Sequence, residues 1–251
     1  MGRSLTQPGN RLVAAAQLAA ADFFDGENTK HFALDVGCDH AKLAIYLVQS
    51  GICERVLALD INDGPVKKAA ENVARRKLLT EPLDKYITVI KNDGLCGLEE
   101  YGAESADRIF ILGMGGELIA DILERAAFVK DVGARRVFIL QAMTSESDLR
   151  KYLYENGFDI KREKLVLDKG RIYSVIAAVY DGEKRKAEPY IYEAGDTEKM
   201  DADELLDSYL ARKIRILEKL ISQRKDAGLG YDEQSELLEN IKRAKSTLSA
   251  V

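Results

Sequence analysis

The chain has 251 residues, enough to bury a large core in one domain, or one domain with an appendage, without disulfide or metal staples. A hydrophobic share of 46% with 31% charged residues excludes general disorder, and no apolar run approaches the roughly 18 residues that span a bilayer. A net charge of −5 lacks the overall basic signature of a nucleic-acid binder and leaves room only for a local basic face. Along the chain, residues 11–24 (RLVAAAQLAAADFF) read as a helix. His31–Gly37 reads as a buried strand running into a turn, and residues 40–50 as a helix stopped by Gly51. Arg55–Ile61 is a second strand, followed by a helix over 64–79 with Pro65 in its first turn. Tyr86–Ile90 and Asp107–Leu112 are further strands, the latter leading through Gly113–Gly116 into a helix ending near Ala126. Arg136–Gln141 is the fifth strand, with a helix over 145–156 behind it. Lys161–Leu167 and Arg171–Tyr180 are joined by only Asp168–Gly170, the pattern of an antiparallel hairpin.

Short apolar strands separated by helix-length segments imply an α/β fold, a mainly parallel sheet covered on both faces. Five such strands plus a terminal hairpin resemble the seven-stranded, Rossmann-like sheet of class I methyltransferases. Residues 181–200 are polar and read as a linker. Beyond them Leu206, Leu210, Leu217 and Ile221 lie on or near one helical face. Leu237, Ile241, Ala244 and Leu248 repeat the pattern after the break at 226–230. This predicts an antiparallel helical hairpin or short coiled coil, with Asp201 and Glu204 suited to its start. The expected division is residues 1–185 for the α/β domain and 186–251 for linker and helical tail.

Three widely spaced cysteines argue against a disulfide framework or zinc ribbon, and two histidines, His31 and His40, against a metal site. The opening MGRSLTQPGN holds no apolar signal core, so a cytoplasmic location is expected.

In open α/β sheets, ligands bind beyond the carboxyl ends of the strands. Three strand ends carry unusual residues. The first is Asp35-Val-Gly37-Cys-Asp39-His40-Ala. Gly37 permits a tight backbone turn, and Asp35 and Asp39 are acceptors. This is not the dinucleotide fingerprint, because Asp39 stands at the second glycine position and would repel a pyrophosphate. A ligand bearing an ammonium or sulfonium would be attracted. The second is Asp60, 23 residues after Gly37, suited to ribose hydroxyls. The third is Asn92-Asp93-Gly94, either an adenine contact or simply a turn. The fourth strand ends in Gly113-Met114-Gly115-Gly116, read as close backbone approach to a ligand or as helix packing.

Together these segments resemble the bacterial tRNA (adenine-22-N1)-methyltransferases of the TrmK type. The resemblance is carried by DVGCDHA at 35–41, GPVKKAAEN at 64–72, Asp93-Gly94-Leu95 and ILGMGGELI at 111–119. It implies S-adenosylmethionine as methyl donor and tRNA as substrate; no membrane, metal or obligate protein partner is expected from the sequence. Carried onto this chain, Gly37, Asp39 and His40 would line the methionine side, and Asp35 is a further cofactor-binding candidate. Asp60 would hold the ribose and Ile61 the adenine. Asp93 and Gly94 would border the adenine, and Gly113, Met114 and Gly115 would face the reaction centre.

Methylation at adenine N1 needs orientation more than acid–base chemistry, so no general base is assigned. Asp39 is expected to give electrostatic support and Gln141 to contact the target base through its amide. Phosphate contacts are expected from Arg11, Lys42, Arg212 and Arg215, with Arg3, Arg75, Arg76, Lys213 and Lys219 as further candidates. The alternatives are a methyltransferase for another RNA or a small molecule, and a non-catalytic RNA-binding relative.

Overall fold

The computed structural model describes residues 9–24, 31–78, 80–201 and 204–248. Five strands run parallel: β1 (His31–Val36), β2 (Cys53–Asp60), β5 (Ile87–Lys91), β6 (Arg108–Gly115) and β7 (Val137–Thr144). Two long strands, β8 (Phe158–Asp168) and β9 (Arg171–Tyr180), complete a seven-stranded sheet of order β5-β2-β1-β6-β7-β9-β8. β9 is antiparallel to both β7 and β8, so β8 again runs parallel to the first five. The order reverses between β1 and β6, and the carboxyl ends of those two strands flank the crevice this creates.

Alternation along the strands builds a core on each face. On β1, Ala33 faces one cluster, with helices α1 (Asn10–Ala19), α2 (Lys42–Gln49) and α3 (Asp63–Ala74). Leu34 and Val36 face the other, with α4 (Gly116–Arg125) and α5 (Glu146–Glu155). A third cluster unites Leu165 of β8 with α6 (Pro189–Ala194) and with the long helices α7 (Glu204–Asp226) and α8 (Asp232–Leu248). Leu206, Leu210, Leu217 and Ile221 are all buried there, as is Ile241.

Four local expectations change. Helix α1 stops at Ala19, not at residue 24, because the Ala19 carbonyl accepts from Arg108 Nε at 2.7 Å and Asp22 captures the Phe24 N–H. Helix α3 stops at Ala74, not at residue 79. The chain then pairs β3 (Lys77–Leu78) with β4 (Glu81–Pro82), a local ladder that replaces the helical bonds. The stretch read as a linker holds α6 and a 3-10 turn at Thr197–Lys199, and it is packed, with Ala194 and Met200 buried. Asp201 does not open α7. Its carboxylate accepts from Arg162 Nε at 3.0 Å and from Lys164, tying the segment to β8.

Candidate active site

The loop leaving β1 is held in an unusual backbone conformation. Gly37, Asp39 and Ala41 all have positive φ, at +74°, +48° and +54°. Glycine takes this region freely and Asp tolerates it, whereas at Ala41 it costs roughly 1–2 kcal/mol. The surroundings hold the loop in place. The Gly37 and Cys38 N–H groups both donate to the Leu59 carbonyl, at 2.8 and 2.9 Å. Asn72 Nδ2 donates to the His40 carbonyl at 3.0 Å, so α3 clamps the far side.

Three carboxylates surround this loop. Asp35 is buried, and its Oδ2 has no hydrogen-bond partner among the described residues. Burial pushes its carboxyl up to about 7; the Ala44 N–H opposes this, and the nearby Asp60 charge adds to it. Asp60 accepts the Asp39 N–H on Oδ2 at 3.3 Å and the Asn62 N–H on Oδ1 at 3.0 Å. Asp39 is exposed, with His40 Nε2 3.5 Å from its Oδ1. Burial, reinforced by Asp35 and Asp60, pushes the Cys38 thiol far above its ordinary value, so it is no nucleophile.

Two cavities meet at the crevice and share Gly37, Leu112 and Gly113. The smaller, about 310 Å³, lies over the ends of β2 and β5 and is lined by Asp60, Ile61, Asp93, Gly94 and Met114, among others. Ile61 and Leu118 present exposed apolar surface to it. The larger, about 490 Å³, is lined by Asp35, Asp39, His40 and Lys42 on one side. Arg11, Gln141 and Asp168 line it from the other half of the sheet.

Most of the expected positions therefore converge, with qualifications. The Asp93 carboxylate is already paired with Arg125 Nη1 at 3.1 Å. Gly115 lines neither cavity; a Cβ there would stand 3.4 Å from Thr144 Oγ1. Gly116 is a packing residue, since a Cβ would sit 2.1 Å from the Ser145 carbonyl oxygen. Gly113 lines both cavities and has φ +79°. Thus the glycine run serves both readings, the cavity at one end and helix packing at the other.

Arg11 is committed to protein partners. Its Nε donates to Asp168 Oδ2 at 2.9 Å and its Nη1 to Gln141 Oε1 at 2.9 Å. The Gln141 amide is buried, and its Nε2 donates to the Ala142 carbonyl at 2.5 Å. Arg212 and Arg215 lie on α7 and line neither cavity; Arg212 stacks on Tyr209. Lys213 is no surface cation: it is buried between Glu146 and Glu193, at 3.2 and 3.0 Å. Arg75 and Arg76 bond Asn72, and Arg3 lies outside the described residues. His31 is structural, 2.6 Å from Asp107 through Nδ1. Asp168 and Lys169 were not singled out from the sequence, where they are only a short hairpin connector. The signal was topological: with β8 parallel to the first five strands, that connector returns to the carboxyl end of the parallel strands, the end at which open α/β sheets bind ligands.

Comparison with known proteins points to one family. The family model for TrmK, tRNA (adenine(22)-N(1))-methyltransferase, matches residues 33–246. The tRNA (adenine(22)-N(1))-methyltransferase of Bacillus subtilis is 35% identical over 155 residues, covering 59% of this chain and 61% of that protein. Among solved structures, M. capricolum TrmK in complex with S-adenosyl-homocysteine superposes with a TM-score of 0.74 at 25% identity, covering 95% of this chain and 97% of that one. A Streptococcus pneumoniae protein in complex with S-adenosyl-L-methionine gives 0.72 at 26% identity, covering 93% and 97%. With the family match running from β1 into α8 and the motif loops meeting at one crevice, the chain belongs to the TrmK family of tRNA (adenine(22)-N(1))-methyltransferases.

Proposed function

We propose that this chain transfers a methyl group from S-adenosylmethionine to N1 of an adenosine in the D-arm of tRNA, at position 22. The observation that carries this reading is the pair of joined cavities at the carboxyl ends of β1 and β6. One has an acidic and apolar lining; the other opens toward polar groups from β7 and β8. The residues fit the donor. Asp35 lines the larger cavity and, among the described residues, leaves one carboxylate oxygen without a partner, which favours a cationic group nearby. Each Asp60 oxygen holds one backbone N–H and keeps capacity for a ribose hydroxyl. Ile61 and Leu118 offer apolar surface to the adenine.

S-adenosylmethionine supplies a sulfonium methyl: the N1 lone pair forms the N–C bond while the C–S pair stays on sulfur. The chain's own task is orientation. Gly37 and Gly113 let the backbone approach the junction of the two cavities closely, and Gln141 and Asp168 shape the side where the base enters. The target nitrogen already carries its lone pair, so no general base is required. N1 lies on the Watson–Crick edge, so the adenosine must first leave its stack or pair, at a cost of a few kcal/mol. In this reading residues 1–185 carry the chemistry. The tail, 186–251, helps to hold the tRNA through exposed cations such as Arg215 and Lys219, with Lys42 near the cavity. A tRNA substrate would place the reaction in the cytoplasm.

The test is incubation with labelled S-adenosylmethionine and unmodified tRNA transcripts, followed by mass-spectrometric nucleoside mapping. A single N1-methyladenosine at position 22 is expected. Cofactor binding by calorimetry with no transfer to any tRNA would overturn the substrate assignment.

A further inference from the structure

We propose that Asp168 is the specificity-determining acceptor for the target base: its Oδ1 takes an N6 amino hydrogen of the adenine whose N1 is methylated. This rests on the methyltransferase reading above and adds the group that selects the base.

The position follows from topology. β8 and β9 are joined by a two-residue turn, Lys169 and Gly170, with φ of +49° and +77°. Asp168 pairs with Arg171 on the last rung. Because β8 runs parallel to β7, this rung lies at the ligand end of the sheet, and Asp168 lines the larger cavity. Its side chain is only 12% exposed. Arg11 Nε holds Oδ2 at 2.9 Å, while Oδ1 has no hydrogen-bond partner among the described residues. Arg11 is itself fixed by Gln141 and by the Tyr173 ring, 4.7 Å from its guanidinium carbon. The carboxylate is therefore oriented before any ligand arrives. Gln141, the other polar group expected to meet the base, already has a partner at each end of its amide. Of the two polar groups that β7 and β8 bring to the larger cavity, Gln141 and Asp168, it is Asp168 that keeps an acceptor oxygen to spare.

The chemistry of the base gives that oxygen two effects. Adenine presents an N6 donor beside its N1 acceptor, whereas guanine presents an O6 acceptor there, which a carboxylate repels. Methylation also turns the N1–C6–N6 unit into a cationic amidinium. The contact to a carboxylate then strengthens as charge develops, so it favours the transition state over the bound ground state.

The experiment compares wild type with Asp168→Asn on tRNA carrying either adenosine or purine riboside, which lacks the 6-amino group, at the target position. Cofactor affinity is followed by calorimetry and folding by thermal unfolding. For wild type, removing the amino group is expected to lower kcat by at least about tenfold. Asp168→Asn should lower kcat on adenosine to a similar extent, with cofactor Kd unchanged. On purine riboside the substitution should cost little more, because the interaction is already absent. Additive losses, or an unchanged kcat for the variant on adenosine, would overturn the proposal. If Asp168→Asn loses its unfolding transition, Asp168→Glu, which keeps a carboxylate but displaces its oxygens, carries the same comparison. A wild type that binds cofactor but methylates no adenosine fails at the first measurement, and the methyltransferase reading falls with the proposal.

Discussion

Asp35 sits where a carboxylate loses most of its hydration and, among the described residues, gains no partner for Oδ2. Its folded carboxyl is pushed up to about 7 from 3.8, chiefly by burial. The folded chain then binds more protons than the unfolded chain between those values, so Asp35 makes stability fall as pH rises through that window. Asp35→Asn removes the penalty. The variant without ligand is expected to be more resistant to denaturant than wild type at pH 8, with the advantage shrinking toward pH 4. A pH-independent difference would contradict the burial argument. Asp35 was singled out from the sequence by the motif at a strand end. Its orphaned oxygen was not visible there, because hydrogen-bond satisfaction depends on neighbours distant in the chain.

At the scale of elements, the glycine run after β6 shows how one motif divides between function and packing. Gly113 lines the crevice, whereas Gly116 begins α4 directly against the turn before α5. Gly116→Ala would place a Cβ into the Ser145 carbonyl, which is backbone and cannot swing aside. A loss of about 1–3 kcal/mol in denaturant unfolding is expected, the usual cost of overpacking. An unchanged midpoint would show that α4 can shift without penalty. The strands were readable because apolar runs of strand length between helix-length segments report sheet burial directly. The ends of α1 and α3 fall short of the sequence pattern for different reasons, one distant in the chain and one local. Ala19 is capped by Arg108 from another strand, and the β3–β4 ladder competes with the last helical turn.

At the scale of the whole molecule, a buried polar network fastens the tail to the sheet. Arg150 and Glu163 are fully buried and paired at 2.8 Å. Ser174 Oγ donates to Glu163 Oε2 at 2.7 Å, and Arg150 Nη2 donates to Tyr209 Oη of α7 at 3.2 Å. Tyr209 Oη in turn donates to Glu146 Oε2 at 3.1 Å. Burial opposes the Lys213 charge, but Tyr209, Glu146 and Glu193 more than offset it and hold its pKa above the usual lysine value. Glu163→Gln leaves the Arg150 charge buried without its counter-ion, which is expected to cost about 3–5 kcal/mol. Sheet and tail should still lose structure together in one lowered transition. A tail that melts separately in wild type would show that the network does not couple them.

The sequence by itself determined the α/β class, the succession of the main strands along the chain and the tail hairpin, and it pointed to the strand-end loops that line the two cavities. Each of these follows from local periodicity or from a short motif whose residues are neighbours in the chain. Only the tertiary structure decided that Gln141 and Arg11 are bonded to each other, that Lys213 is buried and that Asp168 lines the larger cavity. Those assignments depend on which strands run parallel and which side chains meet across more than a hundred residues of chain, and a polar residue's partner is set in space, not by its place in the sequence.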